Sequence, residues 1–198
     1  MPDDIVHLID DDEDVRRGLS FLLSTTGFAV KVYESAIQFL KSCTPALTGC
    51  IVSDVRMPEM DGLQLLRQLK EKSIGLPVIV MTGHADVALA VEAMKFGAVD
   101  FLEKPFPDKM LLAAIRSALA RGKDPGTEDK SQVRERITSL TVRERDVLNG
   151  LLAGRANKAI AHELGLSPRT IEIYRANVMT KMGASSLSEL VRMALSAK

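Results

Sequence analysis

Between Ile5 and Arg121, short apolar runs alternate with helical patterns, and that alternation leaves few folds open. "IVHLI" (5–9), "FAVKVY" (28–33), "CIVS" (50–53), "LPVIVM" (76–81) and "VDFL" (99–102) have the Val and Ile content of strands. Between them, "EDVRRGLSFLLSTTG", "SAIQFLKSC", "LQLLRQLKEK" and "DVALAVEAMKFG" repeat apolar residues at three- and four-residue spacing, as helices do. Gly27 and Gly97 follow the last turns of two of these helices, and "DKMLLAAIRSALARG" closes the series. Successive βα units with short connections give an α/β fold: a doubly wound, five-stranded parallel sheet with helices on both faces.

The pattern changes after Arg121. "GKDPGTEDKSQ" contains no apolar residue and carries Gly and Pro punctuation, so residues 122–135 are expected to be a linker. From there to residue 198 the reading is helical only, as four short helices forming a small all-α bundle. The expected organisation is therefore 1–121, 122–135 and 136–198. Charge follows the same division. Residues 1–121 hold 13 basic and 17 acidic side chains and the remainder 13 and 9, a net of −4 beside +4 within a neutral chain. A basic helical part suggests nucleic acid as its partner. The amino terminus is acidic where a signal peptide is basic, and "LPVIVM" is far too short to span a bilayer. Cys43 and Cys50 have no metal-ligand spacing and suit buried positions in a reducing cytoplasm.

In a doubly wound sheet all strand carboxyl ends lie on one edge, where ligands bind. Here those ends carry Asp10, Asp11 and Asp12 after the first strand, Asp54 after the third, Thr82 after the fourth and Glu103-Lys104-Pro105 after the fifth. Taken singly, Asp11 or Asp12 could cap the first helix, Thr82 the fourth, and Lys104 could be solvated. Asp54 resists such a reading, because Asp is depleted in strands and caps nothing there. Clustered carboxylates repel unless a cation sits among them, and magnesium takes oxygen ligands while keeping waters for an incoming phosphate. Lysine, hydroxyl and hard cation together are the parts that stabilise a transferring phosphoryl group, with Asp54 as the nucleophile.

"IDDDEDVRRGL", "SDVRMPEMDGL", "VMTGHAD" and "DFLEKPF", in this order and spacing, resemble a response-regulator receiver domain over residues 4–121. The resemblance implies a flavodoxin-like fold, phosphorylation of Asp54 by a sensor histidine kinase, and Mg2+ held by Asp10, Asp11, Asp54 and the backbone carbonyl of Arg56. It also implies Thr82 and Lys104 on the phosphoryl oxygens, and Phe101 as an aromatic switch turning inward with Thr82. A haloacid-dehalogenase-like phosphatase also uses a strand-end Asp. It places a second, general-acid Asp where this chain has Arg56, and is disfavoured for that reason.

On "DVALAVEAMKFG", Leu89, Ala93 and Phe96 form one stripe and Val87, Val91 and Lys95 the opposite one. A helix apolar on both faces is buried all round or meets a partner. The resemblance points to a phosphorylation-dependent homodimer surface at Val87, Val91 and Lys95.

"NKAIAHELGLSPRTIEIYRANVMTKMG" has helix-turn-helix grammar: one helix ends at Gly165, and Ser167 caps the next with Pro168 at its first position. Ile171, Tyr174, Val178 and Met182 make the inward stripe. Arg169, Thr170, Glu172, Ile173, Ala176 and Asn177 supply the mixture of donors, acceptors and small apolar groups that reads base edges, while Lys158 and Lys181 are placed to meet phosphates. "LTVRE", "NKAIAHELGLSPRT" and "KMGA" look like the LuxR/NarL-type DNA-binding domain. Tyr174, Ala156 and Met182 depart from its usual residues. Together the two resemblances imply a cytoplasmic transcriptional activator that binds double-stranded promoter DNA as a dimer beside RNA polymerase, with no separate enzymatic substrate. Within the family it looks most like regulators of nitrogen-fixation genes, whose donor would be a FixL-like, haem-containing kinase. An RNA-binding antiterminator would need a different output fold.

Overall fold

The computed structural model describes residues 5–44, 47–83, 87–123 and 130–197. Contacts divide the chain into two compact units: Met1–Ala85 with Phe96–Pro125, and Asp86–Lys95 with Gly126–Lys198.

The first unit is built on β1 (Ile5–Ile9), β2 (Ala29–Tyr33), β3 (Cys50–Asp54), β4 (Val78–Thr82) and β5 (Asp100–Glu103), all parallel, in the order β2-β1-β3-β4-β5. The central β3 and its neighbour β4 are buried along their whole length, as expected for parallel strands covered on both faces. Register pairs Val6 with Cys50, Ile51 with Val78 and Ile79 with Asp100, which brings the carboxyl ends of β1, β3, β4 and β5 to one edge. Val6, Leu8, Val52, Ile79, Leu111 and Ile115 interlock in one core cluster. β4 begins two residues after the start of "LPVIVM", because Pro77 has no N–H for the ladder; its carbonyl still accepts from Ile51 N at 2.9 Å.

Local signals place the helices. Asp12, not Asp11, caps α1 (Glu13–Thr25), accepting from Asp14 N at 2.9 Å and Val15 N at 3.2 Å. Ser35 caps α2 (Ala36–Ser42), and Asp61 with Gln64 forms a capping box on α3 (Gly62–Glu71). α5 (Asp108–Lys123) follows β5. Cys43 is half-buried and Cys50 buried, neither in a disulfide, and burial pushes the Cys43 thiol upward.

The second unit holds α4 (Val87–Lys95), α6 (Lys130–Thr138), α7 (Val142–Leu152), α8 (Asn157–Leu164), α9 (Pro168–Met182) and α10 (Leu187–Ser196). Two expectations are corrected here. The segment expected to be linker, 122–135, is helical at both ends, holding the end of α5 and most of α6, while the four helices expected after it are α7 to α10. The reason is Val133, 2 % exposed, which joins Val147, Leu151, Ile171, Val178 and Met182 in the core, with Ile137 one turn on packed against it. Residues 124–129 lie outside the described ones. The second correction concerns α4. Val91 is 1 % exposed, with Ala90, Ala93 and Met94 also buried, because α4 is drawn into the packing of its unit. The stripe expected to be a free dimer surface is therefore not free at its centre. Lys95 is exposed, and the side chain of Val87 lies outside the described residues.

His7 is fully buried on β1. Its Nε2 donates to the Thr48 carbonyl at 3.0 Å while Nδ1 accepts from the Tyr33 hydroxyl at 3.2 Å, with Phe39 edge-on to the ring. That arrangement uses the neutral imidazole, and burial lowers the pKa below its ordinary 6.5. A lowered folded-state pKa means that the unfolded chain gains the proton first, so stability is present above 6.5 and lost as pH falls below it. Between about pH 8 and about pH 5.5, the urea midpoint of the first unit should fall relative to that of His7→Phe. Parallel pH profiles for the two proteins would contradict the neutral assignment.

Candidate functional site

The strand-end edge of the first unit gathers three charged groups from three strands. Lys104, following β5, places its Nζ 2.7 Å from Asp10 Oδ2 and 2.6 Å from Asp54 Oδ1. The Asp10 and Asp54 side chains are 2 % and 10 % exposed, so both carboxylates have left bulk water and depend on that ammonium. Burial raises the Asp10 carboxyl, against the pull of Lys104. For Lys104 burial works downward, but the two carboxylates outweigh it and the net shift is upward, so the side chain stays an ammonium.

Backbone groups fix both carboxylates. Asp12 N donates to Asp10 Oδ1 at 3.0 Å, and Arg56 N to Asp54 Oδ2 at 2.6 Å. On α1, Arg16 Nη1 donates to the Asp10 carbonyl at 2.7 Å, a contact that the sequence reading missed and that the i, i+6 spacing alone does not reveal. Lys104 N donates to the Thr82 carbonyl at 2.6 Å, across the cis Lys104–Pro105 peptide's amino side. Thr82 itself is buried, and among the described residues its Oγ1 has no hydrogen-bond partner. Phe101, half-buried on β5, pairs opposite Val80. Asp11 and Arg56 are exposed at the rim.

Two hard carboxylates converging on one point have the chemistry of a magnesium site, since that ion takes most remaining positions from water. The fit is open rather than enclosed: among the described residues no third His, Cys, Asp or Glu joins them closely enough to complete a cage. The orphaned Thr82 hydroxyl and the ammonium mark where an incoming oxyanion would be held.

The second unit presents α8 and α9 as a helix-turn-helix. Gly165 closes α8 with φ of 65°, and Ser167 Oγ accepts from Thr170 N at 3.1 Å to begin α9. Ile171, Val178 and Met182 are fully buried and Tyr174 packs beside them, as the inward stripe requires. Arg169, Glu172, Ile173, Ala176 and Asn177 are exposed together, with Ile173 at 57 %, a costly display for an apolar side chain without a partner. Thr170 is half-buried and its hydroxyl meets Ser167 Oγ at 2.8 Å. Lys158 is exposed in the first turn of α8, whose N-cap residue Ala156 makes no side-chain cap. Lys181, expected to meet a phosphate, makes an ion pair within its own unit. Its Nζ lies 2.7 Å from Glu144 Oε2 on α7, and that pair holds the Glu144 carboxyl below its usual range.

Comparison with known proteins agrees with both halves. Residues 6–116 match the response regulator receiver domain, and residues 138–194 match the bacterial regulatory proteins of the luxR family. The transcriptional regulatory protein FixJ of Azorhizobium caulinodans is 56% identical over 198 residues, covering 98% of this chain and 94% of the relative. FixJ of Rhizobium meliloti is 50% identical, with coverage of 98% and 97%. Among solved structures, full-length FixJ from B. japonicum aligns with a TM-score of 0.58 at 51% identity, covering 98% of this chain and 97% of the other.

One contact in the site leaves no room for change. The amide of Gly62 donates to the Val55 carbonyl at 2.9 Å, and a Cβ there would stand 2.6 Å from the Asp54 carbonyl oxygen. Gly62→Ala should lower the stability of the first unit by about 1–3 kcal/mol, read from denaturant midpoints. It should also slow phosphorylation of Asp54 by acetyl phosphate; unchanged rate and midpoint would show that the backbone yields without moving Asp54.

Proposed function

The chain belongs to the response regulators, pairing a receiver with a LuxR-type DNA-binding domain, and from that premise we propose how its own residues carry the switch. The observation that carries the reading is the Lys104 ammonium shared by the buried carboxylates of Asp10 and Asp54, beside an unpartnered Thr82 hydroxyl.

A carboxylate oxygen of Asp54 attacks the phosphorus of a phosphohistidine on a sensor kinase. The new O–P bond forms as the P–N bond breaks, and the electron pair leaves with the imidazole, which takes up a proton. Lys104 neutralises the transferred oxygens as a point charge, and the Thr82 hydroxyl donates to one of them. Asp10, Asp54 and the Arg56 carbonyl, with Asp11 at the rim, would hold Mg2+, whose chemistry is to screen carboxylate from phosphoryl charge. Arg16 keeps the Asp10 backbone in place, and Gly62 lets α3 approach Asp54. Phe101 turns inward as Thr82 moves. No separate substrate is turned over; the chain assists its own phosphorylation and dephosphorylation in the cytoplasm.

The output is paired binding to promoter DNA. Arg169, Thr170, Glu172, Ile173, Ala176 and Asn177 read base edges from α9, and Lys158 meets a phosphate. Two copies suit half-sites one helical turn apart. The reading extends to nitrogen-fixation genes as targets, a FixL-like haem kinase as donor and RNA polymerase as the next partner; its support is the likeness to the FixJ transcriptional regulatory proteins.

Sedimentation of the full chain with magnesium, with and without beryllofluoride as a phosphate mimic, tests the switch. The protein should pass from monomer to dimer with the mimic, and Asp54→Asn should stay monomeric. Dimerisation that persists in Asp54→Asn would remove Asp54 from the mechanism.

A further inference from the structure

The carboxyl end of α9 is held by two cations from different sources. Lys181, in its last turn, reaches α7 and ion-pairs with Glu144 at 2.7 Å. Arg136, on α6, donates from Nη1 to the Met182 carbonyl at 2.8 Å, the final residue of the helix. Glu144 is 4 % exposed, and its contacts converge on one oxygen. Its Oε2 accepts from Thr141 N at 2.8 Å and from Thr141 Oγ1 at 2.9 Å, so the same carboxylate caps α7 and receives Lys181. Gly183 then ends the helix in the left-handed region at φ of 70°, with the Arg136 guanidinium 3.2 Å from where a Cβ would stand.

We propose that Lys181 and Arg136 are positioning residues for DNA recognition: they clamp the end of α9 to α7 and α6, and Lys181 does not serve as a phosphate contact. The inference rests on α9 as the reading helix. The amino end of α9 is set by its Ser167 cap and its middle by Ile171 and Val178 in the core. Its last turn has the buried Met182 and these two charged contacts to stop rotation about the axis. A helix that reads bases through Arg169, Glu172 and Asn177 tolerates little rotation, because bidentate contacts are directional. Arg136 also gives α6 its task. α6, most of which was expected to be linker, instead touches the end of α9.

Glu144→Gln separates this from the alternative. The amide still accepts from Thr141, so the cap on α7 is kept while Lys181 loses its ion pair. If Lys181 were a phosphate contact that Glu144 competes for, the substitution would free it and strengthen DNA binding. If it is a clamp, binding loses selectivity. Full-length protein activated with beryllofluoride would be titrated, well below its unfolding temperature, with a duplex selected from a random-sequence library and with a scrambled duplex of equal length. Glu144→Gln and Lys181→Met should each reduce the selected-to-scrambled affinity ratio roughly tenfold, the size of losing one good base contact. The double variant should lose no more than either single one. The salt dependence of log affinity should stay as in the unsubstituted protein for both, whereas Lys158→Met should lower its slope by about 0.9. Arg136→Met should reduce the ratio in the same direction. Stronger binding by Glu144→Gln, an unchanged ratio, or a shallower slope for Lys181→Met would each overturn the clamp. Arg169→Ala reports separately on α9 as the reading helix, because its loss of selectivity is expected however Glu144→Gln behaves.

Discussion

Two buried carboxylates sharing one ammonium set the terms for the first unit. Asp10 follows β1 and Asp54 ends the adjacent β3, and Lys104 arrives from the sheet's far edge, 94 and 50 residues further along the chain. Removing either carboxylate from water alone is prohibitive, and the ammonium makes both tolerable only if all three strand ends coincide. A shift of one residue in register would turn each of these side chains to the opposite face. The fully buried β3 and β4, the caps on α1 and α3 and the bare Gly62 all serve that coincidence, because each fixes where a strand end stops. The triad is also short of one positive charge, which is the condition that draws a cation to that edge.

Much of this was legible in the sequence, for a physical reason. Strand ends in a parallel sheet are placed by topology, so residues at the ends of "IVHLI", "CIVS", "LPVIVM" and "VDFL" could be brought together without coordinates. The inward stripe of α9 was legible because 3.6-residue periodicity is a local property. What failed was non-local or sparse. α6 has only Val133 and Ile137 to anchor it within a charged stretch, and two apolar residues do not announce a helix. α4 is apolar on several sides, and periodicity cannot decide which of them a partner element covers; Val91 was placed outside and is buried. Lys181 is 37 residues from Glu144, a distance over which sequence carries no geometry, so their ion pair was not legible.

The second unit divides its polar groups between holding and displaying. Ser167, Thr141 and Ser186 cap their helices with side-chain oxygens, and Arg145 reaches back to the carbonyls of Thr138 and Leu140. α8 is the exception, since Ala156 offers no oxygen to its first turn. An uncapped end leaves amide donors unsatisfied. The exposed face of α9 contributes little to folding, as Ile173 at 57 % exposed makes plain, so its residues are free to be chosen by what they contact rather than by what they stabilise.

Coupling between the two tasks requires a bistable element rather than a long wire, and under the proposed function the Thr82 hydroxyl, without a partner among the described residues, would supply the bias for one. A buried hydroxyl without a partner costs about 1–3 kcal/mol. A phosphoryl oxygen on Asp54 would recover that energy only if β4's end moves toward it, and the same oxygen competes for the ammonium that now joins Asp10 to Asp54. Both effects would favour one rearrangement of that strand end. The resting site is thus a place where one interaction is withheld and another is shared, so that a single added group can settle both.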